Sequence, residues 1–143
     1  MIGDYQMVAE DVSANRKFSD VIAKAAMPAH KGGPFHTTSI PGGSLNLTKR
    51  ERFSPVDGGS YDIPYRSLVP KNVEGMLLSG KLVSVSEDFK RDQLPDNILS
   101  GQAAGIAGAL CAKNEISPRE LENDVSELQR ILVQQGAILT GTH

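Results

Sequence analysis

The stretch GMLLSGKLVSVSEDFKRDQLPDNILSGQAAGIAGALCAK, Gly75 to Lys113, decides how the chain is read. Its apolar run Met76-Leu77-Leu78 closes on Ser79-Gly80 and predicts a short buried strand over Met76–Ser79. A charged, irregular passage from Glu87 to Asn97 follows, with Pro95 inside it. A small-residue helix is predicted to start between Asn97 and Gly101 and to run to about Lys113, with Asn97 and Ser100 as candidate N-caps and Asn114 at its end. A strand, a loop and a glycine at a helix mouth are how an α/β fold shapes a pocket for an anionic or nucleotide-like ligand.

Gly101, Ala104, Gly105, Gly108 and Ala112 share one face of that helix, and Ile106 and Leu110 lie on another. An interior glycine costs about 1 kcal/mol relative to alanine, so Gly105 and Gly108 call for compensation. Two explanations stand side by side: close packing of the helix on a sheet, or a cofactor pressed against the helix mouth.

Working outward, the N-terminal part predicts a strand end in Ile2–Val8 and helices over Ala9–Asn15 and Phe18–Ala26; in the latter, Phe18, Val21, Ile22 and Ala25 fall on one helical face, and Pro28 stops it. Residues 30–60 are punctuated by Pro34, Pro41, Pro55 and three Gly-Gly pairs, which predicts a long loop with a short strand near Ser44–Leu47. Tyr61–Pro70 is rich in strand formers, with Pro64 confining it to an edge or a strand start, and Leu82–Ser86 is a further short strand candidate. Ser117-Pro118-Arg119-Glu120 is a helix start with a Ser cap, Pro at the first position and Glu three residues after the cap. Asp124 caps a last helix whose face is Val125, Leu128, Ile131 and Leu132, and Gly136 ends it. The fold class is α+β, a small sheet packed by C-terminal helices with a long irregular loop.

Composition narrows the function. With 143 residues, 39% hydrophobic and 22% charged, the chain can bury a core and is not of disordered composition. A net charge of -2 with scattered lysines and arginines argues against a nucleic-acid partner. Cys111 is the only cysteine, so no intrachain disulfide forms, and a cytoplasmic location is expected. The longest low-charge run, Ile98–Ala112, has 15 residues, short of the ~20 that a membrane span needs. No metal site is expected, because His30 and His36 lack further ligands at metal spacing, and Ser84 and Ser86 have no accompanying His and Asp to make a hydrolase triad.

Four blocks in order, GDYQMVAEDVSANRKFSDVIAKAAMP, YDIPYRSLVPKNVEGMLLSGK, GQAAGIAGALCAK and SPRELENDVSELQ, resemble the C-terminal part of a family of FAD-dependent oxidoreductases with two dinucleotide-binding domains. The resemblance implies that residues 1–74 form a substrate- or cap-side segment, with the long loop at about 30–60, and that residues 75–143 are the C-terminal part of an FAD-binding domain. It places Gly80 and Lys81 beside the cofactor and assigns backbone N–H groups of Gly101, Gln102, Ala103 and Ala104 to the flavin's pyrimidine edge. Arg66, on the strand that would meet the flavin, is the catalytic candidate; its other reading is a salt bridge to Asp62 or Glu74.

The chain departs from the family pattern in three ways. Lys81 stands where an arginine is usual, which keeps the charge and loses the planar fork. The loop Leu82–Ser100 is short, and Arg91, Gln93, Pro95 and Asp96 resemble a subfamily's RMQPD loop. No GxGxxG occurs, so the pyrophosphate fingerprint is missing. The expectation is therefore a C-terminal fragment that binds FAD weakly or not at all on its own, needs an N-terminal flavoprotein half to act on its small-molecule substrate, and self-associates into a homo-oligomer through exposed sheet edges. The rival reading is a non-catalytic structural or self-association subunit that no longer binds FAD.

Overall fold

The computed structural model describes residues 1–26, 29–31, 51–53, 59–86 and 94–140. Helix α1 spans Ala9–Ser13, and strands β1 to β4 span Val21–Ala25, Ala29–Lys31, Glu51–Phe53 and Tyr61–Pro64. Helices α2, α3 and α4 span Leu94–Asn114, Pro118–Leu121 and Ser126–Gln134, and short 3-10 turns occupy Tyr65–Ser67 and Gly80–Leu82. The described strands make two antiparallel pairs, β1 with β4 and β2 with β3, so the molecule is α+β. The expected strand at Ser44–Leu47, the side chain of His30, the whole of His36 and the charged passage around Arg91 and Gln93 lie outside the described residues.

The segment after Phe18 is where structure and helical periodicity part. Val21–Ala25 is a strand, not a helix. Val21, Ile22 and Ala23 are all buried, so consecutive side chains on both faces of the strand find apolar neighbours. A short apolar run of this kind satisfies either period, and the antiparallel partner decides: Ala23 faces Ile63, Lys24 faces Asp62 and Ala25 faces Tyr61, with an irregularity between Val21 and Ala23. The strand expected over Tyr61–Pro70 is real only to Pro64, after which the chain tightens into the 3-10 turn. Asp20 directs that tightening. Its backbone carbonyl accepts from Tyr65 N–H at 2.8 Å and its carboxylate from Arg66 N–H at 3.1 Å.

Met76–Ser79 is not a strand; no described segment pairs with it in a ladder, although Leu78 N–H donates to Leu68 O at 2.6 Å. Leu82–Ser86 likewise contributes only an isolated parallel bridge between Val85 and Met7. The N-terminus is drawn onto this region by Gly3, whose N–H donates to Ser84 Oγ at 2.8 Å. A Cβ on Gly3 would stand 2.9 Å from Ser84 Cβ, so only glycine allows this approach.

Helix α2 is the centre of the packing, against β1, α3, α4 and the Gly80–Leu82 turn. Ala103, Ala107 and Leu110, one turn apart on one face, enter the core with Ile22 and Ala23 of β1, Ile63 of β4 and Leu128 and Leu132 of α4. Small side chains at 103 and 107 let the strand approach α2 closely. The start of α3 follows the sequence: Ser117 Oγ accepts from Glu120 N–H at 3.1 Å, and Glu120 Oε2 accepts from Ser117 N–H at 2.7 Å. Asp124 Oδ1 accepts from Ser126 N–H at 2.9 Å at the start of α4. Arg119 ties this end to the N-terminus through Asp4, to Glu74 at 2.6 Å and to Pro70 O at 2.8 Å.

Candidate functional site

The face of α2 opposite Ala103 and Ala107 carries Gly101, Gly105 and Gly108. A Cβ placed on any of these glycines would meet nothing within 4 Å. The glycines are therefore not there to admit a neighbouring sheet, which removes the packing explanation among the described residues. They form the floor of a groove of about 650 Å³. Gly75, Leu77 and Ser79 make one wall, and Ile116, Ser117 and Pro118 close the end nearest α3.

Helix α2 begins at Leu94, earlier than the expected start between Asn97 and Gly101. Pro95 sits in the first turn, where a missing N–H costs nothing, so it opens the helix rather than breaking it. The amides of Gly101, Gln102, Ala103 and Ala104 consequently lie well inside the helix, where the i−4 carbonyls take them. Ser100 is not a cap either. Its hydroxyl donates to Asn97 O at 3.0 Å and accepts from Gly80 N–H at 3.0 Å, which clamps the Gly80–Leu82 turn to α2. Gly80 makes the turn with φ +58°, a conformation that side chains disfavour.

The sequence candidates thus separate. Gly101 and Ala104 line the groove. Gly80 and Lys81 lie in the turn pinned to the first part of α2, with Lys81 exposed. Gln102 reaches across to α4, its Nε2 donating to Gln135 Oε1 at 3.1 Å. Ala103 is fully buried in the core. Arg66 is held by Asp20, not by Asp62 or Glu74: Nε to Oδ2 is 2.9 Å and Nη2 to Oδ1 is 3.2 Å. The guanidinium also lies over the Tyr5 ring at 5.4 Å, and its hydrogen bond to Asp20 makes Arg66 hold its proton more tightly than usual.

One feature of the site was not read from sequence, the environment of Asn97; the flanks of Cys111, Leu110 and Ala112, read it as a small buried hydrophobe, as found. Asn97 Oδ1 is buried and accepts no hydrogen bond from the described residues, beside the Gly80 turn, where Asn97 Cβ would lie 3.8 Å from a Cβ on Gly80. Cys111 faces the groove from inside the core, and burial pushes its thiol up, which suits a packing residue better than a nucleophile. Among the described residues no group of His, Cys, Asp and Glu could hold a metal ion, and no helix is long and apolar enough to cross a membrane.

A family model of FAD dependent oxidoreductases matches residues 1–132. The chain belongs to this family. The match takes in β1, β4, the groove and nearly all of α4. No curated protein and no solved structure gives a match.

Proposed function

We propose that this chain supplies the flavin-ring end of an FAD site in an oxidoreductase, and that a dinucleotide-binding partner segment carrying a GxGxxG fingerprint supplies the pyrophosphate cradle. The observation that carries the reading is the groove on the glycine face of α2, where Gly101, Gly105 and Gly108 each leave open space in place of a Cβ. Asn97 Oδ1, buried and without a hydrogen-bond partner among the described residues, supports it as an acceptor near the same end of the helix.

In this reading residues 1–74 belong to the substrate or cap side and residues 75–143 to the FAD domain. Gly101 and Ala104 form the surface on which the ring lies. Gly80 shapes the adjoining turn, and Lys81 brings positive charge to the ring's edge. Gln102 and Ala103 act one step removed, by fixing α2 to α4 and to the core. Arg66, engaged by Asp20, orients the β4 end rather than touching the cofactor. When bound, FAD supplies two-electron transfer with an organic substrate; the chain binds the ring, orients it and keeps water from one of its faces.

The purified chain should hold FAD weakly or not at all, and addition of a family GxGxxG segment should raise FAD retention. Gel filtration followed by the flavin absorbance of the protein peak measures this. Stoichiometric FAD on the chain alone, or no gain with the segment, contradicts the proposal. A colourless, oligomeric product that ignores the segment favours the structural-subunit reading.

A further inference from the structure

The wall of the glycine-face groove has an unusual support. Gly75, Leu77 and Ser79 line it, yet Met76–Ser79 pairs in no ladder with the described strands. A segment outside a sheet has no row of backbone bonds to fix its distance from a neighbouring helix. Its place is set by isolated contacts instead. In the middle, buried Leu78 donates its N–H to Leu68 O at 2.6 Å, which ties the wall to the segment after β4 and not to α2. Before Gly75, Arg119 of α3 reaches Glu74 at 2.6 Å and Pro70 O at 2.8 Å.

The other end of the wall is joined to α2 itself. Ser100 is fully buried, and its hydroxyl is used in both directions. It donates to Asn97 O at 3.0 Å and accepts from Gly80 N–H at 3.0 Å. The bond to its own helix commits the hydroxyl proton and leaves a lone pair for Gly80. Ser79, the neighbour of Gly80, lines the wall, and Gly101, the neighbour of Ser100, lines the floor. Gly80 turns the chain with φ +58° immediately after Ser79, so movement at Gly80 passes directly to the wall. The hydroxyl thus spans the line along which wall and floor meet.

We propose that Ser100 is a positioning residue of the groove, whose hydroxyl holds the Ser79 end of the wall at the distance from Gly101 that a flat ring fills. The proposal rests on the flavin-ring reading of the groove and adds to it the group that sets the groove's width. Ser100 is not itself a lining residue; it acts on the ring through Gly80 and Ser79. Alanine at position 100 removes the acceptor and keeps the helix, because alanine is the better helix former. The Gly75 end keeps its own tie through Arg119, so the disturbance is confined to the Ser79 end.

The test compares the native chain with Ser100→Ala in two measurements by two-dimensional NMR of the full chain. The first needs no ligand. Hydrogen exchange of the Gly80 amide should speed up about fivefold or more in Ser100→Ala, while Ala107 and Leu110 keep their native rates. The second is a titration with lumiflavin, the bare flavin ring system, whose affinity should fall by about fivefold or more in Ser100→Ala. Val125→Ala, a buried change at the start of α4 and outside the groove, controls for lost stability and should bind lumiflavin within about twofold of the native chain. An unchanged Gly80 rate, a Ser100→Ala protein that binds lumiflavin as the native chain does, or an equal loss of affinity in Val125→Ala would each overturn the proposal. Failure of the flavin reading has a different signature: the native chain itself then takes up no lumiflavin, whatever the Gly80 rates, and the proposal falls with it.

Discussion

The two faces of α2 have opposite physical characters although both are built from small residues. Ala103 and Ala107 are fully buried against the core around β1 and α4. Gly101, Gly105 and Gly108, on the other side, have open space where a side chain would be. Where packing is the reason for smallness, alanine suffices and supports the helix. Where glycine is used and nothing packs, the helix loses stability, at about 1 kcal/mol for each interior position, for no benefit to the described fold. Under the proposed function, that difference separates residues that serve folding from residues that serve a ligand.

The comparison is sharpened most by changing one residue on each face. Leu110→Ala, on the buried face, should cost about 2–5 kcal/mol in denaturant unfolding, as large-to-small core changes do; a loss below ~1 kcal/mol would mean that this face is not packed. Gly105→Ala, on the open face, should instead stabilise the chain by up to about 1 kcal/mol through helix propensity. A destabilised Gly105→Ala protein would break the contrast, because it would imply a neighbour against that face.

Smaller effects belong to the ends of the helices. Ser117→Ala should cost about 1 kcal/mol by removing the cap of α3. Glu120, whose carboxylate accepts from Ser117 N–H and is thereby held below the usual carboxylate range, gives this cap a pH dependence. Its folded-state value is depressed, so its contribution is present above the unfolded value of about 4.3 and is lost as pH falls through the folded one. Unfolding curves taken through acid should show that loss in the native chain and not in Glu120→Gln. Glu122 has the opposite sign. Burial pushes its carboxyl up, and Oε1 accepts no hydrogen bond from the described residues. Its ionised form therefore weakens the fold, and the weakening sets in as pH rises from the unfolded value through the raised one. Glu122→Gln should remove that slope and add roughly 0.5 kcal/mol near neutrality, a modest gain because water screens the group. A loss of stability would point to a hidden partner for Glu122.

The parts legible in sequence were those specified within a few residues. The Ser117–Glu120 box, the stop at Gly136 and the glycine face of α2 all follow from local chemistry or a single helical period. The parts that eluded it depend on distant partners. Phe18, Val21, Ile22 and Ala25 suit a helix, and only pairing with Tyr61–Pro64 makes the segment a strand. Arg66 had two plausible acids nearby in sequence and chose Asp20, separated from it by 46 positions. Pro95 reads as a breaker until it is seen in the first turn of α2, and that shift places the Gly101–Ala104 amides inside the ladder instead of at an open helix end. On α2, then, the glycine face was legible and the start of the helix was not.

The account rests on the open glycine face being the surface for a flavin ring, and lumiflavin, the ring without its ribityl and adenylate tail, addresses it directly. Titrated into the chain and followed by amide shifts, lumiflavin should perturb Gly101, Gly105 and Gly108 of α2 together with Leu77 of the facing wall. Gly105→Leu should erase those shifts without lowering the melting temperature. Perturbations mapping elsewhere, or a Gly105→Leu protein that responds to lumiflavin as the native chain does, would contradict the account.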